Sequence, residues 1–142
     1  MEVVFLNRNR ILLLLLTLLL VLTGCGGMAD IPVSPMESEH FTEEDYLSAA
    51  EGVKKQMSSR KFNESADITP LAIRYAGDEK TEAEQDYICT FGDYGEGIVL
   101  LSDFQVGEST GPWEPNYTYR NWQWFLARKD GGPWVIVTSG YG

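Results

Sequence analysis

The chain has 142 residues, with 21 acidic and 11 basic side chains, one histidine and two cysteines, for a net charge of −10. So acidic a balance excludes nucleic acid as a partner, because phosphate contacts need clustered Lys and Arg. One histidine and two cysteines leave no Ser-His-Asp, Cys-His or metal-ligand spacing, so neither a metal nor a cofactor is expected.

The first element follows Arg8 and Arg10 and runs from Ile11 to Leu22, with Thr17 as its one polar residue. As a helix it would span about 18 Å, short of the ~30 Å core of a bilayer. Its length and basic flank predict an export signal. The run closes on Leu22-Thr23-Gly24-Cys25, which resembles the bacterial lipobox. The resemblance implies removal of residues 1–24, a diacylglycerol on the Cys25 thiol, and anchoring to the cell membrane on its extracytoplasmic face. Two acyl chains hold a membrane far more firmly than one. Cleavage removes Glu2, Arg8 and Arg10, one acid and two bases, so the net charge moves from −10 to −11.

With Cys25 acylated, Cys89 has no partner for an intramolecular disulfide and reads as a small buried residue. Residues 25–40 hold glycine, two prolines and no periodic pattern, which predicts a flexible tether with a reach of about 21 Å. The histidine, His40, falls in that tether. One domain is expected over 41–142.

In the domain, Thr42 and Asp45 form a capping-box pattern, with Phe41 and Tyr46 at the staple positions. Tyr46, Leu47, Ala50, Val53 and Met57 keep helical spacing, predicting a helix over 43–60. Ile68 to Tyr75 alternates as a strand. Asp78 to Gly92 fits either period. Thr81-x-x-Glu84 as a capping box and Gly92 as a C-cap favour a helix there. Three strands follow, over 96–106, 117–128 and 134–139, the last two joined by Asp130-Gly131-Gly132-Pro133. That turn pairs Lys129 with Trp134. It puts Trp122, Trp124, Leu126, Val135 and Val137 on one face, and Phe125, Ala127, Trp134 and Ile136 on the other. Both faces are too apolar for water, and one helix covers only one. The second must curl around an interior, pack against helix 78–92, or meet another molecule.

This order of elements resembles the cystatin-like or nuclear-transport-factor-like α+β cone, an N-terminal helix on a curved antiparallel sheet. Residues 98–104, 122–128 and 131–142 also resemble a group of small Gram-positive lipoproteins to which no activity is assigned. Cone folds host enzymes, binding modules and assembly domains alike.

Chemistry-bearing patterns are few. Gly92-Asp93-Tyr94-Gly95-Glu96-Gly97 lacks the lysine of a phosphate loop and the ligands of a calcium loop, and reads as a turn. Glu79, Glu82, Glu84 and Asp86 read as a solvated face. Asp103, at the end of an apolar strand, is the one catalytic candidate: desolvated inside a cone with Tyr75 or Tyr119, it would suit isomerase- or hydrolase-like chemistry. Trp113, Tyr117 and Tyr119 are the ligand-binding candidates, with Trp113 expected to be exposed in the loop G-P-W-E-P-N. The expectation is a non-catalytic binding domain whose partner is an envelope protein, peptide or glycan, or a second copy of itself.

Overall fold

The computed structural model describes residues 30–141. The export signal, the lipobox and Cys25 lie outside the described residues. The elements are α1 (Glu43–Met57), β1 (Ala66–Tyr75), α2 (Asp78–Ala83), α3 (Gln85–Cys89), β2 (Glu96–Ser109), β3 (Thr118–Arg128) and β4 (Val135–Gly140). The four strands make one open antiparallel sheet in the order β1-β2-β3-β4, so the domain is α+β. No described helix is long and apolar enough to cross a membrane.

The capping box at the start of α1 is complete. Thr42 Oγ1 accepts from the Asp45 amide at 3.1 Å, and the Asp45 carboxylate accepts from the Thr42 amide at 3.1 Å. Tyr46, Ala49, Ala50, Val53 and Met57 form its buried stripe. Leu47, expected in that stripe, is 44% exposed, and Ala49 takes its place. The helix stops three residues earlier than its spacing predicts. Asn63 Nδ2 donates to the Met57 and Ser59 carbonyls, satisfying the helix end from a following turn. Both edge strands, β1 and β4, reach α1, so the sheet curls around it.

The segment read as tether is docked from Ile31 onward. Ile31 is buried in the core, and Ile73 of β1 exchanges hydrogen bonds with the Pro32 carbonyl (2.8 Å) and the Ser34 amide (2.9 Å). The Tyr46 hydroxyl donates to the Ser34 carbonyl at 2.8 Å. Asp78, at the start of α2, then accepts from the Ser38 hydroxyl (2.5 Å), the Glu39 amide (2.8 Å) and the Tyr75 hydroxyl (2.7 Å). Burial above all pushes the Tyr75 hydroxyl up to about 12. Those bonds, the Ser38 hydroxyl first, hold Asp78 at about 2. A depressed carboxylate stabilises the fold above its ordinary pKa of 3.8, and that contribution is lost as pH falls through about 2. Asp78→Ala at neutral pH should therefore speed amide exchange at Ser34 and Ile73. Unchanged protection there would show that the arm holds without the carboxylate.

The second face of the sheet is covered in part by α2 and α3. Ile88 packs on Val99, Phe125 and Ala127, with Val137 beside them. Of the three ways to bury that face, the domain uses its own helices. The expected capping box at Thr81 is absent, because α2 starts at Asp78 after Gly77, whose φ is +99°. Thr81 and Gln85 serve the sheet instead. β1 ends at Tyr75, opposite Leu100, so the flank of β2 beyond it needs other partners. The Gly97 amide donates to Gln85 Oε1 and the Gly97 carbonyl accepts from Gln85 Nε2, both at 2.8 Å. The Val99 amide donates to Thr81 Oγ1 at 3.3 Å. Gly92 is not a C-cap either: α3 closes at Thr90 with αR geometry.

The hairpin register also differs. Ala127 faces Val135 and Leu126 faces Ile136, one step from the expected pairing. A bulge at Val137 then restores that pairing at Phe125 and Thr138. Trp134 and Ile136 therefore join the α1-side core with Leu126, Val137 joins Phe125, and Val135 is exposed.

Candidate functional site

The sequence-predicted aromatics Trp113, Tyr117 and Tyr119 converge at one end of the α1-side core, where Phe62, Phe104 and Trp122, not expected there from the sequence, join them. Phe62 follows α1, Phe104 comes from β2, Tyr119 and Trp122 from β3, and Trp113 and Tyr117 from the β2–β3 loop. Tyr119 and Trp122 are three apart and would point to opposite faces of a regular strand. They share a face because Arg120 and Asn121 together oppose Asp103, a bulge in which Asn121 takes φ +57°.

Phe104 stacks on Tyr119 (centroids 5.1 Å, planes 15°), and Tyr119 stacks on Tyr141 (5.6 Å, 28°). Trp113 and Trp122 flank this column at 5.3 and 5.8 Å from Tyr119, and Tyr117 meets it edge-on at 4.9 Å. The Glu114 amide donates to the Tyr119 hydroxyl oxygen at 3.1 Å. Tyr117 and Tyr141 surface at 43% and 54% exposure. Desolvation first, then the nearby Tyr117 hydroxyl, raises the Tyr141 pKa. Trp113, expected to be exposed, is instead half-buried against Phe62 and Phe104. Beside this layer Pro115 and Asn116 line a polar hollow of about 520 Å³ that also holds Glu64, Asp67 and Glu108. Together these are apolar ring faces next to an acidic recess, an arrangement suited to holding a partner. Tyr141, from the last residues of the chain, carries no sequence signal that would tie it to this site.

Asp103 lies apart from it. Its register neighbour Phe104 points to the α1 side with Tyr119, and Tyr75 pairs with Leu100 on that same side. Asp103 points to the other face, so neither tyrosine joins it. Its Oδ1 accepts from Arg74 Nη2 at 3.0 Å and from the Asn121 amide at 2.9 Å, and Arg120 stands at 3.7 Å. Desolvation is the largest influence and raises its pKa, but the Arg74 hydrogen bond, the Asn121 amide and the two guanidinium charges together hold it below the usual carboxylate range. The carboxylate is thus an ionised clamp on the bulge.

The other candidates fall as follows. Cys89 is a half-buried free thiol. His40 and Phe41 border a hollow of about 220 Å³ against Thr81, Glu82, Gln85 and Glu96. Glu84 pairs with Lys80 at 2.7 Å, and Glu79, Glu82 and Asp86 are exposed. Among the described residues no cluster of His, Cys, Asp and Glu could hold a metal ion.

No family model, curated protein or solved structure matches the chain.

Proposed function

We propose that the protein is a lipid-anchored binding domain on the extracytoplasmic face of the cell membrane, tethered through a diacylglycerol on Cys25. Its aromatic layer engages an envelope protein or peptide rich in basic side chains. Anchoring is supported by the order of Arg8, Arg10, the apolar run and Leu22-Thr23-Gly24-Cys25. The observation that carries the binding role is the Phe104–Tyr119–Tyr141 column, which surfaces beside the recess holding Glu64, Asp67 and Glu108. The net charge favours a cationic partner. Binding is favoured over catalysis because Asp103 is committed to Arg74 and the Asn121 amide, on the face away from Tyr75 and Tyr119. The curl of the sheet, with both edges reaching α1, supports the cystatin-like or nuclear-transport-factor-like cone.

Cys25→Ser should leave uncleaved precursor and abolish labelling by a fatty-acid analogue. Normal processing of that variant would overturn the anchor. Crosslinking in intact membranes should recover a basic envelope protein with the native chain, and at least tenfold less with Tyr117→Ala/Tyr141→Ala. Equal recovery by both would remove the aromatic layer from the role.

A further inference from the structure

The helices α2 and α3 cover the second face of the sheet incompletely. Beside them opens a hollow of about 310 Å³ whose lining includes Lys80, Glu84, Tyr87, Gln123, Phe125 and Thr138. This volume lies at the small end of the range of ligand pockets, about 300–1,000 Å³. Gln123, from the middle of β3, is 9% exposed, and its Oε1 is buried with no hydrogen-bond partner among the described residues. Buried amide oxygens are almost always paired, so this one stands as an acceptor waiting for an O–H or N–H.

The surroundings narrow what brings that donor. Lys80 and Glu84 neutralise each other across 2.7 Å, so the rim offers no unpaired charge to an ionic ligand. Tyr87 and Phe125 stand edge to face with centroids 5.7 Å apart, giving apolar ring surfaces beside the amide. Thr138 adds a hydroxyl that can both give and accept. A buried amide in the lining, a hydroxyl on the wall, aromatic surface alongside and no net charge describe the complement of a hydroxylated, uncharged ring.

We propose that this hollow is a carbohydrate site that takes one neutral sugar residue, with Gln123 as its hydrogen-bonding anchor and Tyr87 as its stacking surface. It lies on the opposite face of the sheet from Phe104 and Trp122, is independent of the lipid anchor, and meets the aromatic layer only at Tyr141, which also borders the hollow.

The test is titration of the full chain in detergent micelles with glucose and with N-acetylglucosamine, read by the Gln123 side-chain amide and Tyr87 ring resonances. Glucuronate and glucosamine serve as charged controls, and phenylalanine, a zwitterion, as an aromatic one. Saturable shifts of both groups are expected with at least one neutral sugar, and at least tenfold weaker binding for each control. Gln123→Met should reduce sugar affinity at least tenfold while leaving the melting temperature equal or higher, because it removes an unpaired buried oxygen. Tyr87→Ala, at an exposed ring, should reduce affinity likewise with no change in melting temperature, and it stands in should Gln123→Met fail to fold. No saturable shift with either neutral sugar overturns the proposal. So do equal affinity for any control and unchanged affinity in the variants that fold.

Discussion

Trp124→Ala is expected to destabilise the domain by about 3–5 kcal/mol, the usual range for emptying a large aromatic site in a core. Trp124 is 1% exposed in the central strand β3, flanked in register by Leu100 and Ser139. Its ring meets Phe62 at 5.6 Å, and its Nε1 donates to the buried Ser102 hydroxyl at 2.8 Å. Truncation opens a cavity between strand and helix and also strands Ser102, so the surroundings cannot collapse neatly around the gap. At roughly 4 °C per kcal/mol, the melting temperature should fall by about 12–20 °C. Trp124→Phe refills most of the volume but still orphans Ser102, so it should lie between the two, at about 1–3 kcal/mol. A Trp124→Ala protein that melts within a few degrees of the parent would contradict the assigned core.

The second large effect concerns the attachment of α3. A Cβ placed on Gly97 would lie 2.7 Å from both Ile88 Cδ1 and Cγ2 and 3.1 Å from Ile88 Cβ. Rotating the Ile88 tip relieves only part of that clash, so the short helix itself has to move. Gln85, on the same helix, holds both backbone groups of Gly97 and resists the movement. Gly97→Ala should cost about 1–3 kcal/mol, as overpacked cores do. Ile88→Ala should cost about 2–5 kcal/mol by leaving a hole over Val99 and Phe125. Combined, each change relieves the other, so the double variant should be more stable than the sum predicts by at least about 0.5 kcal/mol. Denaturant midpoints at constant slope measure this directly. Strict additivity would mean that Ile88 does not sit on Gly97.

Much of this architecture is readable in the residues. The Thr42–Asp45 box, the stripe from Tyr46 to Met57 and the Asp130–Pro133 turn are local signals, and they lead to the observed helix and hairpin. What escapes the sequence is set by distant contacts. A strand alternates with period two, so one inserted residue reverses every face beyond it. The bulge at Val137 does this to β4, moving Trp134 and Ile136 to the α1 side, and the bulge at Arg120 and Asn121 gathers Tyr119 with Trp122. Nothing in their own neighbourhood marks those insertions. Thr81 and Gln85 mislead for a related reason. Thr81 reads as the start of a capping box and Gln85 as a residue of the helix behind it, yet they hold β2 backbone groups eighteen positions away from Thr81 and twelve from Gln85. In the same way, Pro32 and Ser34 look like tether until Ile73 supplies their partners. Gln123 carries one faint cue, a lone amide inside Trp122-Gln123-Trp124-Phe125-Leu126 where every neighbour is apolar.

The strand-like run at Pro32–Ser34 has a consequence for how copies of this protein meet. Its two hydrogen bonds to Ile73 occupy one stretch of the outer margin of β1, whereas the outer margin of β4 has no such cover among the described residues. A ribbon open at both sides can recruit a neighbour on each and lengthen without limit, which is how fibrils propagate. With the middle of one side occupied, a neighbour cannot pair along the whole of β1, and the arm thereby works against polymerisation on that side.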